Sequence, residues 1–137
     1  VIATNLDIIE AARTWKGVRW RHQGRNRLGV DCIGLLRVVA DQLGLIPGVD
    51  FDGYGRMPDG RLRPELDKLL VRRVGPYQLG DVLLMRFEKE PQHVAIVTDK
   101  GIIHSAAQAR KVVEHGMDAI WNSRVVAAYQ WPEVEYV

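Results

Sequence analysis

A single thiol and two imidazoles on neighbouring β-like runs are the side chains in this sequence that could together attack a carbonyl: Cys32, His93 and His104. Cys32 is the one cysteine of the 137 residues. It follows Asp31 and opens an apolar run, Ile33, Leu35, Leu36, Val38, Val39, Ala40 and Leu43, dense enough for a largely buried helix. Asp31 is a natural N-cap and Gly44 stands just past the end. In the first turn of such a helix, unpaired backbone N–H groups and the helix dipole favour the thiolate, so a lowered pKa is expected for Cys32. The same N–H groups, that of Cys32 included, can receive the oxyanion formed when a carbonyl is attacked. A buried cysteine is usually a small hydrophobe. The mouth of a helix behind a polar, Gly-rich loop is a poor place for one.

Of the four histidines, His93 opens a strand-like run and His104 lies on the next, so these two form the candidate pair. His22 falls in a basic loop, and His115 ends a later run beside Gly116, outside the pair. In an antiparallel hairpin, His93 and His104 share a face if the turn has an even number of residues. They face each other directly if the turn is centred between Thr98 and Asp99, and a turn at Lys100-Gly101 displaces them by several residues. The local pattern leaves this register open. One cysteine and scattered histidines do not compose a zinc ligand set, and no metal or cofactor is expected.

The elements that must position these groups read as helices first and strands after. Thr4 or Asn5 can cap a helix in which Leu6, Ile9 and Ala12 or Arg13 recur, running to about Trp15 before Gly17 stops it. Residues 18–30 form a structured loop without apolar period. Residues 47–63, with Pro47, Gly48, Gly53, Gly55, Pro58 and Gly60, form a long irregular loop of the kind that borders sites, and a short helix from Pro64 to about Leu70 follows. Asp81 to Phe87, His93 to Thr98, Gly101 to Ser105, Lys111 to Glu114 and Arg124 to Trp131 then give a meander of about five strands. The expectation is one α+β domain over residues 1–137, its antiparallel sheet packed on the Cys32 helix.

Composition excludes several classes. With 47% hydrophobic and 26% charged residues the chain is neither disordered nor fibrous, and a net charge of +2 is no nucleic-acid signature. Positive charge does gather in the first third, at Arg13, Lys16, Arg19, Arg21, Arg25, Arg27 and Arg37. A lone cysteine precludes an internal disulfide. No stretch is apolar for long enough to span a bilayer, and the first residues lack a secretion-signal pattern, so any export is expected to depend on something else.

Gly29-Val30-Asp31-Cys32-Ile33-Gly34-Leu35, Gly80-Asp81-Val82, His93-Val94-Ala95-Ile96-Val97 and Ile103-His104-Ser105 resemble, in order and spacing, the motifs of the NlpC-type cell-wall cysteine peptidases. The resemblance covers nearly the whole chain. It implies a papain-like fold, with the nucleophile helix packed on a five- to six-stranded antiparallel sheet, and no cofactor. Cys32 is similar to the family's nucleophile, His93 to its general base and His104 to the polar residue that orients the base. The implied reaction cuts an amide in the stem peptide of peptidoglycan, commonly between D-glutamate and a diamino acid, through a thioester.

Trp20 stands where many members have a tyrosine; its indole can donate one hydrogen bond and accept none. Trp20, Asp31 and Tyr54 are the expected substrate-side residues, and Arg19, Arg21, Arg25 and Arg27 the groups expected to attract substrate carboxylates. The basic segment, with Lys111 to His115 and Trp121 to Tyr129, further resembles the branch found in tailed phages and gene-transfer particles. That implies a tail-tip or tail-hub setting, synthesis in the bacterial cytoplasm and action at the cell wall. Two alternatives stand beside it: a structural tail module that keeps the fold without the chemistry, and an amidase or acyltransferase using the same Cys and His pair.

Overall fold

The computed structural model describes residues 2–137. The first helix, α1, spans Asn5–Arg13 and begins with a capping box: the Thr4 hydroxyl accepts from the Asp7 N–H and the Asp7 carboxylate accepts from the Thr4 N–H. Its buried face is Asn5, Ile8, Ile9, Ala11 and Ala12. Leu6, expected inside, is exposed, and the helix stops at Arg13 rather than Trp15, with Thr14 as its C-cap. A two-residue hairpin follows, β1 (Arg25–Asn26) against β2 (Gly29–Val30), within the stretch expected to be loop.

Helix α2 runs Cys32–Gln42 with Asp31 as its N-cap, and Gly44, with φ +68°, lies just beyond. This matches the expected span because the apolar run and both end signals agree. Helix α3, Leu62–Leu69, starts two residues before Pro64, which sits in the first turn where its missing N–H leaves no bond unmade. The strands are β3 (Val71–Arg72), β4 (Val82–Arg86), β5 (Pro91–Thr98), β6 (Gly101–Ala106) and β7 (Lys111–His115), then helix α4 (Ala119–Ser123) and β8 (Val125–Gln130).

The pairings between these strands are antiparallel, and the six-stranded sheet has the order β3-β8-β4-β5-β6-β7. The expected meander holds from β4 to β7. The last strand departs from it, because β8 crosses back to pair with β4, and β3 adds a short edge strand beyond β8.

One face of the sheet, with Val82, Leu84, Val94, Ile96, Ile103 and Val112, joins the core against Ile33, Leu35, Leu36 and Val39 of α2. The other face carries Leu83, Met85, Ala95, Val97 and Ile102 under Met117 and Trp121. Burial on both faces is why β4 reads as a continuous apolar run instead of an alternating one. The hydroxyl of Ser105 in β6 donates to the Val30 carbonyl at 2.6 Å, tying the sheet to the residue that precedes Asp31. The start of α2 is thereby held over the strands that carry the histidines.

Candidate active site

Asp31 organises the start of α2 and is only 4% exposed. One carboxylate oxygen accepts from the Gly34 N–H at 2.8 Å and from Arg25 Nη1 at 2.9 Å. The other accepts from the Gln23 N–H at 2.8 Å and from the Tyr54 hydroxyl at 2.5 Å. Both oxygens are therefore engaged inside the protein. Asp31 is a support beneath the site and not the substrate contact expected from the sequence.

Gly34 is required by the same construction. A Cβ there would fall on the Gly24 carbonyl, because the loop leading to β1 crosses the first turn of α2 at backbone distance. The Asp-Cys-x-Gly order thus joins a capping carboxylate, the thiol and a position where a side chain has no room.

Cys32 lines a cleft whose other wall is the long loop, including Phe51, Tyr54, Arg56, Pro58 and Arg61, with Pro91 and Gln92 at its end. Burial, with the Asp31 carboxylate adding to it, pushes the Cys32 thiol up to about 12, while the backbone amides of Val94 and Ile33 pull it the other way. The expected low pKa is not found in the free protein: desolvation and the adjacent negative charge outweigh the helix start. The contact with the Val94 amide brings the sulfur to the residue next to His93 in β5.

His93 is buried, and burial together with the positive charge of Arg124 holds it down to about 4. The resting pair is thus neutral thiol and neutral imidazole. The hairpin joining β5 to β6 turns through Asp99 and Lys100, since Thr98 pairs with Gly101. The turn has an even number of residues, and the two histidines share a face; continued to residue 104, the register sets His104 opposite Ala95, diagonal to His93. His93 Nε2 and His104 Nδ1 are 2.6 Å apart. Nε2 is thus the His93 ring nitrogen that meets His104.

The pair continues to a residue that the sequence reading set aside. His104 Nε2 lies 2.9 Å from His115 Nε2, and His115 Nδ1 lies 2.9 Å from the Gly116 carbonyl oxygen. The signal was present in the spacing, because 93, 104 and 115 are equal intervals. Two antiparallel hairpins of matching offset bring equally spaced residues to one face; in the second, His104 pairs with Val113 and Ile102 with His115. The Trp121 ring, delivered by α4, packs on His104 and His115 with centroids 5.2 and 4.9 Å away. Arg124 stacks on Trp121 and Phe87.

Tyr54 does wall the cleft, its hydroxyl held between Asp31 and Arg25. Trp20 does not line the cleft; it lies at the rim, its ring 5.6 Å beneath the Arg56 guanidinium. Among the described residues its indole N–H bonds none of Cys32, His93 and His104. Two of the four arginines expected to attract substrate carboxylates are committed elsewhere. Arg25 is committed to Asp31, Asp50 and Tyr54, and Arg27 lies on the Trp15 ring at 3.6 Å and donates to the Thr14 carbonyl. The positive charge at the cleft comes instead from Arg56 and Arg61 of the long loop. Among the described residues no group of three or more His, Cys, Asp or Glu side chains is placed to hold a metal ion, and no helix is long and apolar enough to cross a membrane.

This architecture recurs in known structures. An NlpC/P60 family protein from Bacillus cereus matches with a TM-score of 0.69 and 19% identity, over 96% of this chain and 41% of that one. The NlpC/p60 domain of the peptidoglycan hydrolase SagA matches with a TM-score of 0.65 and 21% identity, over 93% of this chain and 99% of that one. The peptidoglycan hydrolase RipB of Mycobacterium tuberculosis matches with a TM-score of 0.64 and 20% identity, over 96% and 65%. At these identities the likeness is one of fold. In sequence, the murein DD-endopeptidase MepS/murein LD-carboxypeptidase of Escherichia coli strain K12 is 25% identical over 120 residues. That match covers 85% of this chain and 57% of the relative, so the chain spans somewhat more than half the length of the curated relatives it matches. Residues 17–130 match the NlpC/P60 family model, a span that holds Cys32 and all three linked histidines, and the chain belongs to the NlpC/P60 family.

Proposed function

We propose that the chain is a cysteine peptidase that hydrolyses an amide bond in the stem peptide of peptidoglycan. The observation that carries this reading is the thiol at the start of α2, lining a cleft and in contact with the Val94 amide, next in the chain to a histidine whose Nε2 is held by another histidine. His93 Nδ1 takes the proton of Cys32, and the sulfur attacks the amide carbon. Developing negative charge on the carbonyl oxygen falls at the start of α2, where the Cys32 N–H has no acceptor within the helix. The C–N bond breaks as His93 returns its proton to the leaving amine. Water, deprotonated by His93, then releases the acid from the thioester.

The neutral resting pair implies that proton transfer accompanies attack, and His104 keeps the base in place throughout. Arg56 and Arg61 suit a substrate with free carboxylates, as the stem peptide has, and the bond between D-glutamate and a diamino acid is the one the family resemblance favours. The resemblance of the basic and C-terminal segments to the phage-tail branch supports a tail-tip setting, with tail-hub or tail-tip proteins as partners and the cell wall as the place of action.

The test is digestion of purified peptidoglycan with products identified by mass spectrometry, comparing the protein with Cys32→Ala. Stem-peptide fragments from the protein and none from the variant are expected. Equal silence of both, under reducing conditions and across pH, would instead favour a structural module of the same fold, a reading to which the tryptophan at position 20 lends support.

A further inference from the structure

The three linked imidazoles end at a group that can play only one part in a hydrogen bond. The Gly116 carbonyl accepts and cannot donate, so the His115 nitrogen 2.9 Å from it, Nδ1, carries a proton. A neutral His115 then presents a bare Nε2 to His104 Nε2 at 2.9 Å, and His104 must be the donor there. With its proton on Nε2, neutral His104 presents a bare Nδ1 to His93 Nε2 at 2.6 Å, so His93 carries its proton on Nε2 as well. The outcome is a bare His93 Nδ1, the form that a base for Cys32 requires.

The opposite order would set a lone pair of His115 against the carbonyl lone pairs. We propose that His115 is a positioning residue: acting through His104, it passes the constraint of the Gly116 carbonyl to His93 and fixes its reactive tautomer. This rests on the reading of His93 as general base and adds a further residue to it.

The surroundings suit that role. Each of the two hairpins sets its histidines diagonally on one face, and Trp121 packs on both His104 and His115, limiting the orientations open to the outer rings. Burial and the two neighbouring imidazoles hold His104 well below the usual histidine range, which keeps it neutral. A charged His104 would donate at both nitrogens and demand two acceptors from its neighbours, which only one proton order supplies.

The test is nitrogen-15 NMR of the whole protein labelled at its histidine rings, at neutral pH. The shifts should show His115 protonated at Nδ1 and both His104 and His93 protonated at Nε2. A native protein with His104 protonated at Nδ1 overturns the proposal.

His115→Gln offers an oxygen able to accept from His104 and should keep the native signals of His93. His115→Leu offers no acceptor and should give His93 a mixture of tautomers. It should also lower kcat on a stem-peptide substrate by about threefold to tenfold, the loss of roughly one neutral hydrogen bond, with KM unchanged. Should His115→Leu leave the His93 tautomer as pure as in the native protein, His115 has no positioning role. The ring signals are read without turnover, so a failure here is distinct from a failure of the peptidase reading, which the Cys32→Ala digest addresses.

Discussion

At the scale of single residues, the site is governed by burial more than by charge. Cys32 is pushed up and His93 pushed down, so each holds its neutral form in the free protein. A general base works only above its own pKa, so the acid limb of kcat/KM is expected near pH 4 instead of near the ordinary histidine value of 6.5. Arg124 supplies part of that depression, disfavouring a second positive charge nearby. Arg124→Gln should therefore raise the limb by up to about one unit while the plateau at neutral pH changes little. A pH profile of kcat/KM for the two proteins checks this, and an unmoved limb would remove Arg124 from the account. Arg124 was legible in the sequence only as the first residue of the last strand. Its effect on His93 depends on β8 crossing back to β4, which no local pattern announces.

At the scale of elements, the chemistry depends on one close approach. The loop before β1 passes over the first turn of α2 where Gly34 leaves room, and Asp31 binds that turn to Gln23, Arg25 and Tyr54. Gly34→Ala should force the loop or the helix start to move, costing about 2 kcal/mol of stability and a larger share of activity, because Cys32 is carried by the part that shifts. Urea unfolding alongside an activity assay checks this. Gly55→Ala, where an added Cβ meets nothing within 4 Å, is the stability control.

The helix itself was legible because cap, apolar run and terminal glycine agree, and the strands from β4 to β7 because β-rich runs alternate with turn residues. What escaped has physical reasons. Strand β3 has two residues and helix α4 has five, too few for any period to show. The clasp of Tyr54 on Asp31 joins residues 23 positions apart across a loop without pattern. His115 was hidden because equal spacing becomes a shared face only once both hairpin registers are known.

At the scale of the whole molecule, the buried histidines tie folding to pH. His93 and His104 are held neutral in the fold, with pKa values below the 6.5 they would have in the unfolded chain. Their contribution to stability is fully present above pH 6.5 and is lost as pH falls from there toward the folded values, because the unfolded chain then binds protons that the fold refuses. For His93 the difference between 6.5 and about 4 corresponds to something on the order of 3 kcal/mol, a sizeable part of the stability of an ordinary domain. A second window lies lower. Glu114, whose side chain is 1% exposed, is held down to about 2 by Arg13, which also reaches Asp99 at the turn between β5 and β6. That contribution is present above the usual value of 4.5 and is lost as pH falls from there toward 2. The urea midpoint should thus be level from pH 8 to about 6.5, slope down toward pH 4.5 on the histidines, and steepen below as Glu114 joins. His104→Gln should lessen the upper slope, leaving the share of His93, and leave the lower one, whereas Arg13→Leu should lower the midpoint at neutral pH and weaken the lower slope alone. A midpoint level down to pH 5 in the unaltered protein would mean that the histidines are not held neutral by the fold.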